Sequence, residues 1–159
     1  MSTCQSPTRR LILQGAGAVA LSGLGTLAFT PALAAANDKY PEDAFKQKSD
    51  ADAIKALYGK TAEASDKVKL DAPEIAENGA VVPIAVTTTL ADVTSISFFV
   101  SENPNALAAS YVIPAGTVPA VANRLKMAKT CNVIAIVESG DKLYSATKEV
   151  KVTVGGCGG

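Results

Sequence analysis

The chain ends Val154-Gly155-Gly156-Cys157-Gly158-Gly159, and Cys157 is the side chain whose type and setting point most directly to chemistry. A thiol, through its thiolate, makes and breaks covalent bonds to sulfur under mild conditions. The four surrounding glycines carry no side chains and lose more entropy on ordering than any other residue. Residues 155–159 are therefore expected to form a flexible arm. At ~3.3–3.6 Å per extended residue, the step from Val154 to Cys157 carries the sulfur roughly 10 Å past the preceding element. A thin terminal arm suits a covalent carrier, which presents one sulfur atom to several active sites in turn. Nothing in the arm activates its own thiol. The nearest cation in sequence is Lys151, and the α-carboxylate two residues on disfavours a thiolate. Activation is expected from a partner enzyme, with Cys157 as the attachment point and no catalytic residue in this chain.

The remaining composition narrows the chemistry. Among 159 residues there are 15 Lys+Arg, 15 Asp+Glu, and neither histidine nor tryptophan. This excludes a Ser-His-Asp triad and any histidine metal ligand. Balanced charge gives no electrostatic footprint for nucleic acid. Cys131 opens the apolar run Cys131-Asn132-Val133-Ile134-Ala135-Ile136-Val137 and reads as a small core residue. A disulfide from it to Cys157 would close a loop of about 25 residues but immobilise the arm. Without a C-x-x-C pair or histidine, the cysteines make a poor zinc or copper site, so neither metal nor cofactor is expected.

The amino terminus reads as an address. Arg9 and Arg10 stand directly before an uncharged run, Leu11 to Phe29, moderated by Gly15, Gly17, Gly23 and Gly25. Pro31-Ala32-Leu33-Ala34 then supplies an Ala-x-Ala site, which places cleavage after Ala34, give or take two residues. Residues 1–34 are the pattern of a twin-arginine (Tat) signal, which exports folded cargo to the periplasm. The loose G-x-G-x-x-A match at Gly15–Ala20 has no clear strand before it and no βαβ unit around it. The Gly- and Ala-rich run with its Ala-x-Ala end favours removal over a retained anchor, so no membrane association is expected afterwards. Cys4 leaves with the signal. The mature chain keeps 13 basic and 15 acidic residues, a net charge of −2, in a compartment that oxidises thiols.

These features need a scaffold. Residues 35–66 read as a helical segment: Pro41 suits a first helical position, Ser49 a cap for a second helix, and Gly59 a stop. From Val68 the period becomes strand-like. Candidate strands at 67–71, 80–90, 94–101, 107–113, 119–127, 132–138 and 143–154 are separated by turns such as Glu77-Asn78-Gly79 and Ser139-Gly140-Asp141. Seven short antiparallel strands over residues 67–154 predict a mainly β, immunoglobulin-like sandwich, with a barrel as the alternative. Alternation along Tyr144, Ala146, Lys148, Val150, Val152 and Val154 predicts a half-buried edge or surface strand.

The twin-arginine leader, the stretch Ile75-Ala76-Glu77-Asn78-Gly79-Ala80-Val81-Val82-Pro83, and Lys148-Glu149-Val150-Lys151-Val152-Thr153-Val154 running into Gly-Gly-Cys-Gly-Gly resemble the SoxY family. This family comprises the sulfur-carrying subunits of the Sox thiosulfate-oxidation pathway. The resemblance implies a periplasmic immunoglobulin-like protein paired with a SoxZ-like subunit as a heterodimer. It implies that a c-type haem conjugating enzyme joins thiosulfate to Cys157, that a hydrolase releases sulfate, and that the remaining sulfane sulfur is oxidised by a third enzyme or stored. Cys131 is not part of the family motif. The competing class is an immunoglobulin-like structural or adhesion domain whose Cys157 only forms an intermolecular disulfide, as it also would in a Cys157-linked homodimer of the isolated protein.

Overall fold

Helix-forming spacing gives way to β-branched alternation about two fifths of the way along the chain, and the architecture follows that change. A computed structural model describes residues 40–154. The export signal with Arg9, Arg10 and Ala34, and the arm with Gly155, Gly156, Cys157, Gly158 and Gly159, lie outside the described residues. Two helices, α1 (Glu42–Phe45) and α2 (Asp50–Tyr58), precede nine strands. These are β1 (Ala62–Ala64), β2 (Val68–Asp71), β3 (Ile75–Ala76), β4 (Val82–Thr88) and β5 (Val93–Val100), then β6 (Leu107–Val112), β7 (Ala120–Leu125), β8 (Cys131–Ser139) and β9 (Lys142–Val152).

The strands form two sheets, not a closed barrel. The larger has the order β1-β9-β8-β5-β6 with β3 also on β9, and the smaller runs β2-β4-β7. All pairs are antiparallel except β1 and β3, which run parallel to β9. Between the sheets lies an apolar core including Val82, Ile84, Val86, Ile96, Phe98, Val133, Val137 and Val150. The alternation of β4, buried at Val82, Ile84 and Val86 and exposed at Pro83 and Thr87, is the signature of one face packed and one wet.

A second apolar cluster lies on the outer face of the larger sheet, where Ala44, Ala53, Phe99, Ala106, Leu107, Ile136 and Leu143 hold the helices down. Tyr58, the last residue of α2, drives its hydroxyl to 2.7 Å from Ser97 Oγ and 3.0 Å from Ser95 Oγ. Burial pushes its phenol up from the ordinary value, the two serine bonds oppose that shift, and the nearby Glu138 charge adds to it. Gly59 ends α2 at φ 66°, a left-handed position suited to glycine, and its N–H closes on the Lys55 carbonyl at 2.8 Å.

Four expectations change. Pro41 caps α1 from outside instead of occupying its first turn. Ser49 holds the cap of α2 with extended backbone, but its hydroxyl makes no capping bond. The segment read as helical to residue 66 turns to strand at Ala62, because Ala62–Ala64 pairs with Leu143–Ser145. That pairing also corrects the edge placement of the last strand. β9 is interior, with β8 on one side and β1 and β3 on the other. Its alternation reflects one face on the core and one outside, and says nothing about its lateral neighbours.

Candidate functional site: the root of the cysteine arm

The strand that leads to Cys157 is held by hydrogen bonds up to its last described residue. On one side, the segment 74–79 runs beside it. The Lys151 N–H donates to the Glu74 carbonyl at 2.9 Å, and the Thr153 N–H to the Ala76 carbonyl at 3.1 Å. The Thr153 hydroxyl donates to the Glu77 carbonyl at 3.1 Å. The Gly79 N–H then donates to the Val154 carbonyl at 2.9 Å. On the other side, the Val152 N–H donates to Thr130 Oγ1 at 2.9 Å.

The clamp is itself fixed. Asn78 folds its side chain back so that Oδ1 accepts the Ala80 N–H at 2.8 Å, a local turn typical of asparagine. The Gly79 carbonyl accepts the Met127 N–H at 2.7 Å, which ties the turn to the sandwich. Lower down, the ammonium of Lys148 donates to the Ala72 carbonyl and joins the middle of β9 to the residues just before that segment. Ile75, Val81 and Val154 stand mostly exposed around this root.

The two stretches that carry the family resemblance, 75–83 and 148–154, are thus one physical unit. Sequence reasoning identified both stretches but missed that they pair. It read Glu77-Asn78-Gly79 as a turn, which it is, without the strand β3 that precedes it. Thr130 and Thr153 gave no signal of their own, since threonine is common in strands.

The structure gives Cys131 a packing role. Cys131 is a free thiol at the first position of β8, opposite Val150, and only 8% exposed within the inter-sheet core. Burial pushes its pKa up, the Glu102 charge adds to this, and backbone N–H groups at Glu102 and Ser101 partly offset it. It remains a protonated core thiol at neutral pH. Among the described residues, no group of three or more His, Cys, Asp or Glu side chains is placed to hold a metal ion.

The family model for sulfur oxidation protein SoxY matches residues 54–157, so the match begins in α2 and runs through the clamp to Cys157. The chain belongs to the SoxY family. A solved structure described as the sulfur carrier protein SoxY from Chlorobium limicola f thiosulfatophilum is 43% identical, with a TM-score of 0.60. The alignment covers 65% of this chain and 96% of that one. No curated protein matches the chain. The fold is that of SoxY, a family of sulfur carrier proteins rather than enzymes.

Proposed function

We propose that this protein is a periplasmic carrier of sulfur-oxidation intermediates and that Cys157 is the atom-bearing site. The observation that carries the reading is a family match ending on Cys157, three residues past a strand held through Val154. A rigid root with a glycine-flanked thiol beyond it localises one sulfur while leaving it orientational freedom. Gly155, Gly156, Gly158 and Gly159 supply that freedom. The twin-arginine signal at Arg9 and Arg10, cleaved after Ala34, delivers the folded chain together with a SoxZ-like subunit as a heterodimer.

The chemistry balances with partner enzymes supplying the redox equivalents. Loading joins the Cys157 thiol to the outer sulfur of thiosulfate, giving an S-thiosulfonate. It releases one proton and two electrons, which the c-type haem of the conjugating enzyme accepts. Hydrolysis then adds water across the bond to the terminal sulfonate. Sulfate departs and a persulfide stays on Cys157. That sulfane sulfur is the substrate of the third enzyme or is passed to storage.

Intact-mass analysis of protein from its own periplasm, without reductant, tests the reading. Reductant-labile sulfur or thiosulfonate adducts are expected on Cys157 alone. Cys157→Ser should keep fold and partner binding and lose all adducts. A variant that still accepted sulfur would remove Cys157 from the mechanism. A wild-type protein carrying only an intermolecular Cys157 disulfide would favour the structural reading.

A further inference from the structure

The sandwich protects one of its lateral sides and leaves the other open. On the side that includes the root of the arm, the edge elements are short or charged. β1 has three residues with Glu63 at its centre, and β2 carries Lys69 and Asp71 just after Asp66 and Lys67. These are the features by which proteins blunt strand edges against pairing with another chain.

The opposite side lacks them. β6, Leu107-Ala-Ala-Ser-Tyr-Val112, has no charge and no proline, and it pairs only with β5. Its one irregularity is the extra residue Ala108, after which Ala109–Val112 keep regular register. β7 pairs only with β4 and carries a single charge, Arg124. Val112 and Val118, 84% and 76% exposed, are the two most exposed large apolar side chains among the described residues, and both lie at the end of this side away from the arm.

The two edges are tied by side chains, Asn123 Nδ2 donating to the Tyr111 hydroxyl at 2.8 Å and Asn103 Nδ2 to the Lys126 carbonyl at 2.7 Å. Beside these bonds lies a cleft of about 480 Å³ bordered by Pro104, Leu107, Ala108, Arg124 and Lys126. No carboxylate lines it. Arg124 and Lys126 take part in none of the ion pairs among the described residues.

We infer that the β6/β7 side is the docking edge for the partner subunit, which adds an extended strand bearing at least one carboxylate. β6 pairs on one side only, so its outward main-chain N–H and C=O groups are complementary to an extended backbone. On β7, by contrast, the Arg124 N–H is already taken by Asn123 Oδ1 at 2.7 Å. The flanking cations favour an acidic residue at the end near Leu107 and Lys126, and the two valines favour apolar contact at the other end. Along the larger sheet, β6 lies three strand spacings from β9, about 14 Å at the usual separation. A partner bound there leaves the arm open to enzymes, so pairing and loading proceed together. The inference rests on the heterodimer of the proposed function and assigns it a surface.

The test uses the mature chain and the purified SoxZ-like subunit. Binding to that subunit is measured by calorimetry and the footprint by amide hydrogen exchange. Complex formation should slow exchange in 107–112 and 120–125 and leave 62–71 unchanged. Val112→Lys with Val118→Lys, both on exposed side chains, should weaken binding at least ~10-fold, as should Arg124→Glu with Lys126→Glu. Glu63→Lys, on the protected side, should bind as wild type. Wild-type affinity in both double variants, or protection confined to 62–71, would overturn the edge assignment and leave the heterodimer standing. No complex with the wild-type chain would overturn both. A homodimer of this chain that the same variants dissolve, with the partner bound elsewhere, would assign the edge to a second copy and reject the inference.

Discussion

A cysteine's fate depends on whether its thiolate is stabilised and whether a reagent reaches it, and Cys131 meets neither condition. Cys131 lies in the core with its pKa raised, first by burial and then by the Glu102 charge. Cys157 is separated from the last residue of the clamp by two glycines. Under native conditions near pH 8, a maleimide should therefore label one site, Cys157, and Cys131 should react only after unfolding. Peptide mapping of labelled protein reads this directly, and rapid native labelling of Cys131 would contradict the burial argument. The sign of the pH dependence follows. Because the folded-state pKa of Cys131 lies above its ordinary 9.0, the neutral thiol's contribution to stability is full below pH 9. It is lost as pH rises through the folded value, since the unfolded chain then holds fewer protons. Tyr58, also raised from 10.0, adds a loss of the same sign at higher pH.

At the scale of elements, every strand of four or more residues was legible and the two shortest were not. β4, β5, β8 and β9 run seven to eleven residues, enough for two or more periods of β-branched alternation. β1 and β3, with three and two residues, carry no period, and both exist only because β9 offers its free side. This is why the cysteine motif could be read from the chain while its root could not. The clamp depends on main-chain groups of 74–79, which side-chain patterns do not report. On β9's side, Thr153 adds a side-chain bond to the Glu77 carbonyl, worth about 1 kcal/mol or less at an exposed site. Thr153→Val keeps the β-branched shape and removes that donor. Hydrogen exchange at the Gly79 and Thr153 amides should accelerate, with little change in the melting temperature. Unchanged exchange at both amides would show that the backbone bonds alone hold the root.

For the molecule as a whole, the proposed carrier role divides the chain between a sandwich that fixes a point in space and a glycine tether that would carry the sulfur beyond it. Such a system responds asymmetrically to tether length. Deleting Gly155 and Gly156 withdraws the sulfur by about 7 Å at 3.3–3.6 Å per residue, and an atom that cannot reach a recessed centre does not react. Inserting two glycines instead only dilutes the thiol. With closure entropy growing as (3/2)RT ln n, lengthening from three to five residues costs about 0.5 kcal/mol, roughly a twofold loss in encounter. Neither change touches the core or the clamp, so both variants should melt with wild type. Thiosulfate loading by the conjugating enzyme should fall at least ~10-fold in the shortened chain and about twofold in the lengthened one. Equal loading across all three lengths would mean that the reacting centre comes out to the sandwich surface. The arm would then serve as an exposed handle, and the slimness of its glycines would need another explanation.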